Sequence, residues 1–116
     1  DHTVYFPTLE QYKYNPALII GGTQGEVIHA APAGVVESIE QTAQTGTTVT
    51  LDMGNGYTAV YGQLDEVAAA VGDYIAAGEE VGTLNSPTKY YSVEGPNLYF
   101  EIMKDGAPVD PMNFME

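Results

Sequence analysis

The sequence predicts an all-β domain, an antiparallel barrel-sandwich hybrid of short strands. Three observations predict it. Residues Thr47–Asp52 alternate strictly, Val49 and Leu51 against Thr48, Thr50 and Asp52, which is the period of a half-buried strand. Asn55-Gly56 is a strong two-residue hairpin signal, because both residues tolerate the positive φ of a type I′ turn. Glycine, proline, asparagine and aspartate recur at short intervals along the chain, and no helical period is sustained between them.

Taken in order, residues 1–24 form an N-terminal arm. Pro7, Pro16, Gly21 and Gly22 punctuate it, Tyr5, Phe6, Tyr12 and Tyr14 are expected to pack onto the core, and a short strand is expected near Ala17–Ile20. Residues 25–116 form the β-domain. Val27–Ala31 reads as an apolar strand and Pro32-Ala33-Gly34 as a turn. Val35–Gln41 is a strand with Val36 and Ile39 inward and Glu37 and Glu40 outward, closed by the turn Gln44-Thr45-Gly46. Tyr57–Gln63 returns from the Asn55-Gly56 hairpin. Leu64–Ala70 has a helical look but is too short and uncapped to stand as a helix. Val71–Gly82, with glycine turns at Gly72 and Gly78 six residues apart and an apolar residue inside each, reads as a tight β-corner. Asn85–Pro96 is a polar loop, Asn97–Met103 a strand, Asp105-Gly106 a second hairpin turn and Ala107–Val109 its return, with a helical turn expected in Pro111–Met115. About seven or eight short strands result, an all-β count.

Composition narrows the function. The chain has 116 residues, enough for one domain that buries roughly 65% of its unfolded surface. Three lysines, Lys13, Lys89 and Lys104, face sixteen acids, giving a net charge of −13 with no arginine. Such a surface repels phosphate, which excludes nucleic acid and disfavours anionic membrane surfaces; a cationic or neutral partner is compatible. The absence of cysteine excludes thiol catalysis, disulfides and thiolate metal sites. The chain begins at Asp1 and has no apolar run of spanning length, so a piece of a longer protein is expected, with any membrane anchor upstream.

Four phrases in order then resemble one family. They are Gly25–Val36, Asp52–Leu64 around Gly54-Asn55-Gly56, Val71–Gly82, and Asn97–Ile102 followed by Gly106–Pro111. Together they resemble the lysostaphin/LytM-type zinc endopeptidases of peptidoglycan, whose fold is a duplicated hybrid motif; the phrases Ala31–Val36 and Val71–Ile75 stand as its related halves. The resemblance covers roughly residues 15–115. It implies an extracytoplasmic, cell-envelope location in a bacterium, membrane-anchored or secreted. In active members a His and an Asp of an H-x-x-x-D phrase and the second His of H-x-H hold zinc, leaving one position for water.

At each of those places this sequence departs. The H-x-x-x-D positions fall on Asn15 and Ile19, and the H-x-H positions on Asn97 and Tyr99. Gln63 stands at the histidine of the family's Y-x-H-L phrase, and Met53 replaces the histidine before Gly-Asn-Gly. Amides cannot take a proton near neutral pH, so the general base is missing as well. His2 and His29 have no metal-ligand spacing. The resemblance therefore implies a non-catalytic domain with no cofactor, acting as a binding or scaffold module toward an envelope protein, peptidoglycan or both. Residues Val60–Val67 and Glu101–Gly106 are similar to the forespore-side LytM-like subunit of a sporulation channel; regulation of a cell-wall hydrolase is a second role within the class. The expected groove is bordered by Tyr61, Gln63, Tyr90, Tyr91, Asn97 and Tyr99, aromatics beside polar side chains that suit peptide or glycan contact.

Other constellations are weaker. An active peptidoglycan endopeptidase with a rearranged site is the alternative from the enzyme class. Met103-Lys104 matches the dipeptide of biotinyl and lipoyl carrier domains, but Lys104 follows both half-motifs instead of lying between them. Asp65-Glu66 and Glu79-Glu80 lack the oxygen spacing of a calcium loop and read as solvated turns.

Overall fold

The structure, a computed structural model, describes residues 17–87 and 95–109. Every regular element among them is a strand: β1 (Leu18–Gly21), β2 (Val27–His29), β3 (Gly34–Thr42), β4 (Gly46–Gly54), β5 (Tyr57–Val67), β6 (Tyr74–Ile75), β7 (Glu80–Leu84), β8 (Asn97–Lys104) and β9 (Ala107–Val109). All pairings are antiparallel. The main path runs β1-β8-β5-β4-β3-β6; β7 joins β5 to β2, and β9 adds to β8. Of the two strands beyond the sequence expectation, β6 lies inside the Val71–Gly82 corner and β7 begins there and runs on to Leu84. The short apolar stretch that begins at Leu64 continues β5 instead of starting a helix.

Alternation builds the core. Val49 and Leu51 of β4, Ala59 and Tyr61 of β5 and Leu98, Phe100 and Ile102 of β8 all turn inward, together with Leu18, Ile28, Val36 and Val81. Two apolar pairs break the period of two, and both breaks mark bulges. Val36 faces Leu51 and Ser38 faces Thr50, so Glu37 is an extra residue and Ile39 returns to the core side opposite Val49. The same device separates Tyr61 from Leu64 in β5.

The turns carry the chemistry their sequences demand. Asn55-Gly56 and Asp105-Gly106 both have positive φ at each residue (57° and 85°, 53° and 85°), as two-residue type I′ hairpins require. The two tips meet: the Asp105 N–H donates to the Gly56 carbonyl at 2.7 Å. A second turn design occurs three times, in Thr23–Glu26, Ala70–Asp73 and Ala76–Glu79. In each, the N–H of the fourth residue donates to the carbonyl of the first, at 2.9–3.0 Å. The third residue is a glycine at φ 88–96°. The acidic side chain of the fourth accepts the N–H of the first at 2.8–3.0 Å. These are type II turns closed from both ends. The corner read from Val71–Gly82 is two of them in succession.

Close approach at one glycine yields a stability prediction. A Cβ on Gly82 would run into the Glu66 carbonyl oxygen and meet the Val67 Cα at 3.3 Å, backbone that cannot swing aside. Gly21 has nothing within 4 Å of its Cβ position. We predict that Gly82→Ala lowers unfolding free energy by about 2–4 kcal/mol while Gly21→Ala stays within about 0.5 kcal/mol, read from chemical-denaturation midpoints.

Candidate functional site

The site is made by a strand that changes neighbours. Up to Gly62, β5 lies between β4 and β8; beyond it, Leu64 and Val67 pair with β7. At the handover Tyr61 faces Val49 and Leu64 faces Thr47, so Gly62 and Gln63 together oppose Thr48. Such a bulge bends the strand and re-aims its side chains. Gln63 takes φ 70° there, a left-handed conformation that costs about 1–3 kcal/mol outside glycine. Hydrogen bonds hold it. Its N–H donates to the Thr45 carbonyl at 2.5 Å and its carbonyl accepts the Asn85 N–H at 2.9 Å. Its side-chain Nε2 donates to Asn97 Oδ1 at 2.5 Å. Asn97, the first residue of β8, donates its own Nδ2 to the Gly95 carbonyl at 2.7 Å. Both amides are buried, Gln63 at 1% and Asn97 at 0% exposure.

Packing closes around this pair. A Cβ on Gly62 would lie 2.9 Å from the Thr45 Cβ and 3.2 Å from the Tyr99 Cβ, so those two residues press on the strand at the bulge. Tyr99 lies between Ile19 of β1 and Gly62 of β5 in register. Its hydroxyl donates to Glu101 Oε1 at 3.1 Å. Burial pushes the Glu101 carboxyl above its ordinary pKa, against the hydrogen bond from Tyr99, which pulls it down. Tyr61 points to the opposite side of β5. Its ring packs on Phe100 with centroids 5.1 Å apart. Its hydroxyl accepts the Ala31 N–H at 3.2 Å, and burial pushes its pKa up to about 12.

The structure brings Gln63, Asn97, Tyr99 and Ile19 together, with the groove residues it describes turned inward instead of bordering a cleft. Tyr61, Gln63, Asn97 and Tyr99 are all buried. Tyr61 belongs to the core because it shares the inward parity of Ala59, and the amides are satisfied internally. Asn15, Tyr90 and Tyr91 lie outside the described residues. Met53 sits at a further bulge of β4, packed against the core, away from the amide pair. His29 is exposed on β2, in register with Glu80 of β7. Lys104 is the last residue of β8. Its Nζ donates to the Asn55 carbonyl at 2.8 Å, lies 4.7 Å from the Tyr57 ring centroid and stands 3.8 Å from the Asp105 carboxylate, so it is drawn back onto the hairpin tips instead of reaching outward.

Two participants escaped the sequence reading. Thr45 reads only as a turn residue, yet its carbonyl and side chain hold the bulge; the signal was the glycine next to Gln63, where no side chain fits. Glu101 reads only as a residue of the Asn97–Met103 strand, and its spacing of two from Tyr99 was the clue that they share a face.

Zinc in a LytM-type site needs imidazole or carboxylate donors around an open position. Gln63 and Asn97 are neutral amides already bonded to each other, Tyr99 is a phenol bonded to a carboxylate, and Ile19 has no donor. These residues do not fit the metal. Among the described residues no group of three His, Cys, Asp or Glu side chains comes together to hold a metal.

Two predictions follow from this geometry. Asn97→Ala strands the buried Gln63 amide and is expected to cost about 1–3 kcal/mol. The double variant Gln63→Leu/Asn97→Leu should cost less than its two single changes together, as a double-mutant cycle would read. For Glu101 the raised carboxyl pKa means that the folded state favours the protonated acid. Stability from this group is full below the ordinary carboxylate range and is lost as pH rises through the raised value. Denaturation midpoints of Glu101→Gln should lack that decline between acid and neutral pH.

Comparison with known proteins agrees with the frame. The family model of peptidase family M23 matches residues 13–111. Stage II sporulation protein Q of Bacillus subtilis (strain 168) is 30% identical over 89 residues, which cover 77% of this chain and 31% of that protein. Murein hydrolase activator EnvC of Escherichia coli (strain K12) is 26% identical, covering 94% of this chain and 27% of the activator. The chain therefore spans less than a third of the length of either relative. A chain of the solved SpoIIIAH and SpoIIQ complex superposes with a TM-score of 0.67 at 32% identity, covering 77% of this chain and 62% of that one. With its fold, its ordered phrases and a match over residues 13–111, the chain belongs to peptidase family M23.

Proposed function

We propose that the chain is a catalytically inactive member of its family and works as a binding or scaffold module of the bacterial cell envelope. The observation that carries this reading is the buried Gln63–Asn97 amide pair, standing where the family frame expects histidines. A hydrogen-bonded pair of neutral amides neither holds zinc nor accepts a proton from water near neutral pH. The relatives support the direction: one match is to a solved complex of SpoIIIAH with SpoIIQ, and another is named an activator of murein hydrolase. A protein partner in a sporulation channel, or a cell-wall hydrolase under regulation, fits that pattern, and an extracytoplasmic location goes with it. Peptidoglycan is the second ligand class.

The test is elemental analysis of the purified protein together with incubation on peptidoglycan. The expected outcome is substoichiometric zinc and no release of soluble fragments. Stoichiometric zinc with chelator-sensitive cleavage would sink the reading in favour of an active endopeptidase with a rearranged site.

A further inference from the structure

The corner between β5 and β7 has no part in the site above, yet it is the most apolar exposed region among the described residues. Val71 is 62% exposed, Tyr74 65% and Val35 40%. They are neighbours: Val35 and Tyr74 are register partners across β3 and β6. The turn carrying Val71 is tied to β3 by the Gly72 N–H on the Val36 carbonyl and the Val36 N–H on the Asp73 carbonyl, both at 2.8 Å. Beside Tyr74 a cleft of about 450 Å³ opens, floored by Ile75 and walled by Ala68 and Ala69. Asp73, Glu79 and Glu80 complete its lining. One oxygen each of Asp73 and Glu79 is committed to the two turn caps, which fixes those carboxylates in place at the cleft.

Two exposed valines next to an exposed tyrosine that lines a cleft mark an interaction surface, and tyrosine is enriched in such surfaces. Charge selects the occupant. A second copy of this chain would bring a net charge of −13 against the same three acids. An anionic partner is excluded in the same way. Lys104, the lysine among the described residues, is held at the hairpin tips. We infer that this corner docks a short basic segment of a protein partner, with an apolar side chain packed on Tyr74, Val71 and Val35 and a lysine or arginine entering the cleft toward Asp73, Glu79 and Glu80. Preformed carboxylates next to an aromatic face suit such a cation, both by charge and over the ring. The inference takes the binding role proposed above as its setting and gives it a partner class.

Titration of the isotope-labelled full chain tests it, with backbone amide shifts as the readout. The probes are a peptide alternating lysine with leucine and one of equal charge in which glycine replaces leucine. Shifts should concentrate on residues 68–80, and the leucine peptide should bind at least about fivefold more tightly. Tyr74→Ala and Glu80→Gln should each weaken it by about fivefold or more, the scale of a truncated interface anchor. Glu40→Gln, on the far part of β3, should leave it unchanged. Tyr74 and Glu80 are exposed, so unfolding midpoints should hold; Val71→Ser is the second variant if Tyr74→Ala lowers its midpoint. Shifts spread over acids on every face, equal affinity for the two peptides, or variants that bind as the parent does would each overturn the docking corner. None of these readouts involves zinc or cleavage. Loss of the corner leaves the non-catalytic reading standing, and zinc-dependent cleavage would remove that reading without touching the corner.

Discussion

One strand has to serve two sets of neighbours, and the rest of the molecule is arranged around how it does so. The first part of β5 pairs with β4 and β8 and its last part with β7. A regular strand cannot turn from one partner set to the other, so an extra residue is inserted at Gly62-Gln63. That insertion forces Gln63 into a backbone conformation an unbranched side chain rarely adopts, at about 1–3 kcal/mol. The cost is offset locally by hydrogen bonds to Thr45, Asn85 and Asn97. Removing Asn97 would take away one of the bonds that hold a strained residue, which is why the pair is coupled to the strand's course.

The same constraint separates the two faces of the sheet. On one side Tyr61, Phe100, Leu51 and Val49 fill the core. On the other, Tyr99 and Glu101 stand two apart on β8 and share a hydrogen bond. A carboxyl whose burial raises its pKa, bonded by the Tyr99 hydroxyl, can hold a proton. The polar groups of this region face one another: Gln63 bonds Asn97, and Tyr99 bonds Glu101.

Much of this was legible in the sequence because it depends on local rules. Asn55-Gly56 and Asp105-Gly106 dictate type I′ turns by positive φ alone, and Val49 and Leu51 declare their face by alternation. The Val71–Gly82 corner was legible from its glycines, though the short β6 within it and β7 at its end were not, since two to five residues leave too little pattern to separate a strand from a turn. The identities of Gln63, Asn97, Tyr99 and Ile19 at the places where the resemblance implies ligands were likewise readable, because they concern fixed places in ordered phrases. Their burial was not. Exposure is set by neighbours far along the chain, such as Ile19 against Tyr99, and Tyr61 read as groove-lining only because its inward parity depends on a register that no single strand reveals. The docking corner escaped for the same reason: Val35 and Tyr74 become neighbours only through the β3–β6 pairing.

The thrice-used turn of Thr23–Glu26, Ala70–Asp73 and Ala76–Glu79 bears on how the chain reaches this state. Each satisfies both of its end N–H groups within four residues, so it can form without waiting for the sheet. The β3-β4-β5 meander closes short loops as well. The pairing of β1 with β8, Leu18 opposite Phe100, must instead draw together the two ends of the described chain against the entropy of a long loop. Such non-local contacts set the pace of folding in β proteins. The bulge site, which needs β1, β5 and β8 all in register, is therefore assembled in the slow step, with the corners already shaped before it.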